Sequence, residues 1–144
     1  MEKTESITQI EETGNYLQTF FYRAPKKNHD SIAKNLKQFV PWFKKHGARV
    51  EYYQFGNSET QAAIDVAKES GMDFLDNIGK TLSTGEDEEV WMEVQYFRDH
   101  KHCKEVYAKM MQDKSLESLG NQFFSLVTQG KRLIIGGFNR LREQ

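Results

Sequence analysis

The sequence predicts an α+β fold, in which one antiparallel sheet of four strands carries helices on one face. Three observations support this prediction. The chain has 144 residues, the usual size of a single domain. Four short segments are rich in aromatic and β-branched residues, and two longer ones carry apolar residues at helical spacing. Their order is strand, helix, strand, insertion, strand, helix, strand, which is the split βαβ arrangement of a ferredoxin-like sandwich.

The chain divides into a short leader and one domain. Residues 1–13 are polar and acidic, and we interpret them as a flexible leader. The ferredoxin-like domain is expected to fill residues 14–144, and its first strand is predicted at 16–22, where aromatic residues are dense. Both faces of this strand carry large side chains, so we expect both faces to be covered.

The first helix is predicted from an apolar stripe at helical spacing, which consists of Ile32, Leu36, Phe39, Val40 and Phe43. Asn28 or Asp30 can cap its beginning, and Gly47 can end it. Pro41 lies within the stripe and removes a backbone donor, so we expect the helix to kink or to divide into two pieces.

A second strand is predicted at 49–55, followed by a helical insertion at about 59–80. The helix-prone part of the insertion is only weakly apolar, and one side of it carries Ala62, Ala63, Val66 and Ala67. We interpret it as a short surface helix or a partly ordered segment.

The third strand, predicted at 90–97, alternates between two faces, and one of these faces carries Trp91, Glu93, Gln95 and Phe97. Asp99 can cap a second main helix, whose apolar stripe consists of Cys103, Val106, Tyr107, Met110 and Met111. A short helical piece near 115–119 and a last strand at 130–138 complete the domain.

The second face of the sheet also needs a cover. The helices are expected to lie on one face only, while the first and third strands carry large residues on both. We therefore expect a homodimer formed sheet to sheet, with Trp91, Phe97 or residues of the first strand in or beside the interface.

Composition argues against several classes of partner. The 20 basic and 21 acidic residues give a net charge of -1 without a basic run, so we expect no nucleic-acid partner. No segment approaches the roughly 18 apolar residues of a membrane helix, so we expect no membrane partner. The single cysteine, Cys103, is typical of a reducing compartment, and we expect a cytoplasmic protein.

Several short motifs, in order and at compatible spacing, resemble those of one bacterial family. They are 24–28 (APKKN), 41–48 (PWFKKHGA), 73–74 (DF), 86–88 (EDE), 108–111 (AKMM), 130–132 (GKR) and 136–138 (GGF). Over about 16–138 the chain is similar to the YbaA-like family of bacterial proteins of unknown function. It departs from that pattern at 97–99 (FRD where the family has Tyr-Pro-Ser), at Lys114 and in a longer loop at 125–129.

The resemblance implies a dimeric α+β barrel, in which two ferredoxin-like sheets pack face to face. That superfamily includes small cofactor-independent monooxygenases and haem-binding relatives, along with many proteins of no assigned activity.

Polar side chains on the third strand are the first candidates for a site. Glu93 shares a face with Trp91, and a carboxylate buried there needs a partner. Lys131 or Arg132 of the predicted last strand could supply it, across the sheet or across the dimer, as an interfacial ion pair. The alternative is a ligand pocket, in which burial beside aromatic rings raises the pKa of the acid. Trp42 either caps such a pocket or is a core aromatic.

The four histidines show no metal-ligand spacing, and we expect neither a metal nor a cofactor. His100 and His102 lie two apart on a predicted helix and point to different faces. His46 or His102 could in principle hold haem, but a surface histidine at a helix end is the simpler interpretation. Cys103 lies on an apolar stripe, which favours a buried thiol over a nucleophile.

Two hypotheses for function remain. The first is a small dimeric protein that binds an apolar or aromatic small molecule. The alternative is a cofactor-independent monooxygenase-like or isomerase-like enzyme, for which Glu93 and His46 are the candidate acid–base groups. An RNA-binding domain of the same topology is disfavoured, because the last strand (KRLIIGGF) lacks an aromatic platform for bases.

Overall fold

The computed structural model describes residues 13–141. Its strands are β1 (Tyr16–Pro25), β2 (Arg49–Gln54), β3 (Glu88–Phe97) and β4 (Ile134–Asn139). They form one sheet in the order β2-β3-β1-β4, and every neighbouring pair is antiparallel. The predicted α+β, ferredoxin-like arrangement is therefore confirmed. The predicted leader, apart from Thr13, lies outside the described residues.

The α-helices between these strands are α1 (His29–Lys37), α2 (Val40–Lys45), α3 (Asn57–Glu69), α4 (Ile78–Thr81), α5 (His100–Gln112) and α6 (Lys114–Leu126). A single 3-10 turn, Lys26–Asn28, leads from β1 into α1. No helix within residues 13–141 is long and apolar enough to cross a membrane.

Pro41 divides the first predicted helix into two. α1 ends at Lys37 and α2 begins at Val40, so that Pro41 occupies the first turn of α2. A proline is tolerated there because the first N–H groups of a helix have no partner within it. Gly47 follows α2 with a φ of +74°, a conformation that favours glycine, so this helix end is also as predicted.

The helices cover the face of the sheet that carries Trp91 and Phe97. Phe97 is fully buried and packs in one core cluster with Val106 of α5. Trp91 is 5% exposed and packs in a second cluster with Ile32 and Leu36 of α1. The apolar stripes of the chain's own helices therefore cover Trp91 and Phe97, and of the residues expected in or beside a dimer interface only those of the first strand are left as candidates.

The helical stripes are confirmed in outline, with corrections in three helices. Val40 of α2 is 39% exposed. Met111 is 87% exposed, because it lies one residue beyond the stripe that packs on the sheet. In α3, Val66 is 63% exposed, and the residues that pack inward are Ile64 and Ala67.

The helical insertion reaches the second face of the sheet, which the sequence prediction left to a partner. Arg23 of β1 has its side chain on that face and donates from Nη1 to the carbonyl oxygen of Leu82. Val90, on the same face of β3, is 2% exposed. Thr19 and Val94, in the centre of this face, are also buried, but along β4 the face is more open, since Ile134 is 43% and Phe138 56% exposed. We call this uncovered part the open face.

The last strand begins later than the sequence predicts. The backbone N–H of Thr128 donates to the carbonyl oxygen of Arg23 at 2.9 Å, and the ladder between β1 and β4 begins only at the pair of Phe21 and Ile134. Lys131 and Arg132 therefore precede the strand instead of lying in it. The short helical piece predicted near 115–119 is the beginning of α6, which has 13 residues.

Gly136 and Gly137 lie in an unbroken antiparallel register. A Cβ atom on Gly137 would lie 2.3 Å from the hydroxyl oxygen of Tyr16, and one on Gly136 would lie 2.8 Å from the ring of Phe138. The close approach of side chains, rather than a bulge or another backbone, explains the two glycines.

Candidate functional site

A cavity lies between the sheet and the helices that cover it. It encloses about 200 Å³ and is partly open to solvent. Its lining is mostly apolar, and the sheet contributes Phe20, Tyr22, Tyr52, Glu93 and Gln95. The helices and their connections contribute further apolar side chains, which include Leu36, Phe39, Met110 and Phe123.

Glu93 lies at the floor of this cavity, near the middle of the sheet. Its Cα pairs with that of Phe20 on β1 and with that of Tyr52 on β2. Directly paired residues share a face of the sheet, with Cβ atoms about 4.5–5.5 Å apart. Tyr22, two residues after Phe20, is a diagonal neighbour on the same face. Three aromatic rings of the sheet therefore surround the Glu93 carboxyl.

A chain of hydrogen bonds ends at Glu93. Gln18 Nε2 donates to the Tyr107 hydroxyl at 2.5 Å, and this hydroxyl donates to Gln95 Oε1 at 2.5 Å. Gln95 Nε2 then donates to Glu93 Oε2. The other carboxylate oxygen, Oε1, accepts no hydrogen bond from a described residue. The chain thus fixes one oxygen of Glu93 and leaves the other for a ligand.

Burial raises the pKa of Glu93 from its ordinary value of 4.5 to about 7. The hydrogen bond from Gln95 acts in the opposite direction, but the loss of hydration outweighs it. The Glu93 side chain is one of those that line the cavity. At neutral pH both forms of the carboxyl are populated, which suits a group that accepts and returns a proton.

Two tyrosine hydroxyls near Glu93 lack an acceptor. Tyr22 is 1% exposed, and its hydroxyl makes no hydrogen bond to a described residue. The hydroxyl of Tyr52 also has no described partner. Burial raises the pKa of both, and the charge of Glu93 raises it further. Both therefore remain donors at neutral pH, and an oxygen atom of a bound molecule could satisfy them.

Gly120 leaves a gap in the wall of the cavity. It lies in the middle of α6, where glycine costs roughly 1 kcal/mol relative to alanine. Nothing lies within 4 Å of the position that its Cβ would take. Phe124, one turn later, also lines the cavity and is 58% exposed. A larger side chain at Gly120 would therefore project into open space beside the cavity.

Of the five predicted ligand-binding residues, only Glu93 lines the cavity. Trp91 lies two residues away on the same face, but its ring centroid is 5.2 Å from that of His29. Its Nε1 donates to Glu89 Oε1 at 3.0 Å. Trp91 thus supports the core beside the cavity and has its polar atom already bound.

Within the described residues, no ion pair joins Glu93 to the segment before β4. Lys131 pairs with Glu88 instead. Arg132 is exposed, and its carbonyl oxygen accepts a hydrogen bond from Arg23 at 2.7 Å. Neither basic residue lines the cavity, because each is held by contacts with other groups before β4 begins.

Trp42 and His46 meet outside the cavity. Their ring centroids are 4.3 Å apart, and Trp42 Nε1 donates to Asp113 Oδ2 at 2.8 Å. Partial burial and the nearby charge of Lys109 lower the pKa of His46. Since neither ring lines the cavity, His46 and Glu93 do not form an acid–base pair.

His102 and Cys103 have structural surroundings. Nδ1 of His102 accepts from the backbone N–H of Arg98 at 3.1 Å, and Nε2 donates to the carbonyl oxygen of His46 at 2.9 Å. Both ring nitrogens are thus engaged. Burial raises the pKa of Cys103 to about 11, which keeps the thiol protonated. Within residues 13–141, no three His, Cys, Asp or Glu side chains are placed to hold a metal ion.

The sequence prediction misses Gln18, Tyr22, Tyr52 and Tyr107 as parts of the site. The available signal is the period of two along β1, which places Gln18, Phe20 and Tyr22 on one face. Pairing that face with the Glu93 face required the register of the sheet, and this register depends on contacts that are distant in the sequence.

A search of curated proteins finds no match to the chain. A family model described as "Protein of unknown function (DUF1428)" matches residues 15–125. This range contains β1, β2 and β3, the glutamate and tyrosines of the cavity, and Gly120. The chain therefore belongs to the DUF1428 family of proteins of unknown function.

Proposed function

We propose that this protein binds a small apolar or aromatic molecule in the cavity above Glu93. The observation that carries the proposal is a buried carboxyl, in an apolar cavity, whose Oε1 has no donor among the described residues. Glu93 lines the cavity, so a molecule bound there could supply the donor that Oε1 lacks. Sites for small molecules typically combine apolar walls with a few polar groups.

The size and polarity of the cavity define the class of ligand. Its volume of about 200 Å³ is below the roughly 300–1,000 Å³ typical of sites for drug-sized molecules. We therefore expect one or two rings. A hydroxyl on such a molecule could donate to Glu93 Oε1 and accept from the Tyr52 hydroxyl.

Calorimetric titration with 1-naphthol tests this proposal, and naphthalene serves as the ligand without a hydroxyl. We expect 1-naphthol to bind and naphthalene to bind more weakly, because only the hydroxyl can meet Glu93. Gly120→Leu should weaken binding of both, because its side chain would extend from the cavity wall into the open space next to it. Ala63→Leu, which adds the same side chain to an exposed position of α3, should leave binding unchanged.

Two results would contradict the proposal. One is the absence of 1-naphthol binding to the wild-type protein. The other is equal loss of binding in Gly120→Leu and Ala63→Leu, which would place the molecule elsewhere.

The proposal extends to assembly as a YbaA-like dimeric α+β barrel. Ile134, Phe138 and Tyr53 share the face of the sheet that the helices leave uncovered, and they are 43%, 56% and 42% exposed. Packing this open face against that of a second copy would remove these apolar side chains from water.

A second candidate function is that of an isomerase-like enzyme that works without a cofactor. The observation that favours it is the presence, at the same cavity, of a carboxyl and two tyrosine hydroxyls that have no hydrogen-bond partner among residues 13–141.

A further inference from the structure

We infer that Glu93 is the general base, and the hydroxyls of Tyr52 and Tyr22 the hydrogen-bond donors, of a keto–enol isomerisation. The inference rests on the ligand site proposed above and names its substrate class. The substrate is a small, neutral, apolar carbonyl compound that carries a hydrogen on the carbon next to the carbonyl group.

The position of Glu93 meets the first requirement of such a reaction, which is a base held in one orientation. Gln95 donates to Oε2, and Gln95 is itself held by Tyr107. A side chain locked in this way keeps its second oxygen, Oε1, directed at one region of the cavity. Orientation of a base toward the bound substrate accounts for a large part of the effect of general-base catalysis.

The tyrosines meet the second requirement, which is a donor at the oxygen on which negative charge develops. Tyr52 is the direct cross-strand neighbour of Glu93, and Tyr22 is the diagonal one. Neither hydroxyl has an acceptor among the described residues. Donors that are already in place and not bound to protein atoms stabilise an enolate more than they stabilise a neutral ketone.

The walls of the cavity select the kind of carbonyl compound. No lysine, arginine or histidine is among the residues described as lining it, so no cation is available to pair with a substrate carboxylate or phosphate. The apolar rings favour a hydrocarbon skeleton. A neutral ketone or aldehyde of one or two rings fits these properties.

The proposed step conserves atoms and electrons. Glu93 Oε1 takes the proton from the α carbon, and the electron pair of the broken C–H bond forms a C=C bond. The carbonyl π electrons move to oxygen, which accepts hydrogen bonds from the tyrosines. The Glu93 carboxylic acid then returns the proton to carbon or to oxygen. No oxidant, reductant or co-reactant is needed.

Hydrogen exchange tests the inference directly. The probe is 2-indanone in D2O, and the loss of its α-proton signal is followed by proton NMR. The wild-type protein should exchange these protons at least about 100-fold faster than Glu93→Gln. Tyr52→Phe should slow exchange by about 10-fold or more. Tyr53→Phe is the matched control, since Tyr53 is the next residue and lies on the opposite face, and it should exchange as the wild type does.

Binding of 4-nitrophenolate provides a second measurement, because its oxygen anion imitates the enolate. Glu93→Gln removes a like charge and should tighten binding, whereas Tyr52→Phe removes a donor and should weaken it. Weaker binding to Glu93→Gln would overturn the assigned roles. Circular dichroism establishes that each variant is folded, and Glu93→Asp, which retracts the carboxylate, provides a second test of exchange.

The two proposals fail in different ways. If 1-naphthol binds but the wild type and Glu93→Gln exchange 2-indanone equally, the isomerase inference is wrong and the ligand site stands. If neither 1-naphthol nor 4-nitrophenolate binds, both proposals are wrong.

Discussion

Glu93 combines two surroundings that oppose each other. The fold removes its carboxyl from bulk water, which favours the neutral acid, and supplies a hydrogen bond from Gln95, which favours the carboxylate. Burial has the larger effect, so the carboxyl changes its charge near neutral pH. A change of charge in a mostly apolar site must also change the stability of the fold, because the unfolded chain exposes the same group fully to water.

The first prediction concerns this linkage. The pKa of Glu93 is about 7 in the folded protein and 4.5 ordinarily, so the folded state binds the proton more tightly. The resulting stabilisation is complete below pH 4.5 and is lost as the pH rises through 7. As the pH rises through this range, the free energy of unfolding of the wild type should fall relative to that of Glu93→Gln. The expected fall is about 3 kcal/mol, at roughly 1.4 kcal/mol per pKa unit.

This difference is measured by urea unfolding of both proteins. The pH is varied from 4.5 to 8.5, about the range over which Glu93 ionises in the unfolded and the folded state. Glu51→Gln removes a more exposed carboxyl, with 38% of its side chain accessible, and should follow the wild-type curve. Parallel curves for the wild type and Glu93→Gln would show that Glu93 titrates as it does in water.

At the scale of single residues, the sequence reveals which side chains share a face but not what covers that face. The period of two correctly groups Glu93 with Trp91 and Phe97. Both faces of β3 carry large residues, so the pattern alone does not reveal which one meets the helices. The partner assigned to Glu93 is wrong for a related reason, because the position of Lys131 and Arg132 depends on where β4 begins.

The elements of the fold meet at Glu88, at the start of β3. Glu88 accepts hydrogen bonds from the backbone N–H of Gly85, from Thr128 and from Lys131. Burial opposes its ionisation, but these three donors outweigh that effect and lower its pKa to about 2. Lys131 also donates to the carbonyl oxygen of Ser83 at 2.8 Å. One carboxylate therefore joins the insertion, β3 and the chain that leads into β4.

The second prediction follows from this junction. Glu88→Gln should lower the free energy of unfolding at pH 7 by about 1.5 kcal/mol. This value is the lower end of the range for hydrogen bonds to charged groups, and we choose it because the site is partly solvated. The contribution of a lowered pKa is present above pH 4.5 and is lost as the pH falls through 2. The gap between wild type and variant should therefore close in acid.

This expectation is tested by thermal unfolding at about pH 7 and pH 3. The lower value is about the middle of the pH range in which the contribution of Glu88 is lost. Glu86→Gln changes an exposed glutamate two residues earlier and should be neutral. An unchanged gap at the two pH values would mean that Glu88 acts through packing and not through its charge.

Helices with a regular apolar stripe are predicted well from the sequence. The helix α6 shows why other helices are not. Pro41 divides the first helix because its missing N–H is a local property that the sequence states directly. In α6, Gly120 has the character of a helix stop, yet the helix continues through it to Leu126. Packing of Leu116 and Phe123 against the core stabilises this helix, and such tertiary contacts override a local preference of about 1 kcal/mol.

For the whole molecule, the two faces of the sheet have different covers. One face is closed by α1, α2, α5 and α6, apart from the cavity above Glu93. The insertion reaches one end of the other face through Leu82. What remains is the open face, where strand β4 ends the sheet. The proposed dimer would therefore use this part of the sheet, where Ile134 and Phe138 are exposed.

The final prediction uses two neighbouring isoleucines of β4 that point to opposite sides. Ile134 lies on the open face and Ile135 on the face of the helices, and they are 43% and 56% exposed. A proposed dimer through the open face buries Ile134 and leaves Ile135 at the edge. A glutamate at the interface loses hydration and meets its own symmetry-related copy, so Ile134→Glu should separate the subunits.

Ile135→Glu is the control for this prediction. It introduces the same side chain at a position of similar exposure but should leave the dimer intact. Light scattering should give twice the mass of the 16.8 kDa chain for the wild type and for Ile135→Glu, and the mass of one chain for Ile134→Glu. A wild-type mass of one chain would exclude the dimer, and dissociation by Ile135→Glu alone would place the interface on the other side of the sheet.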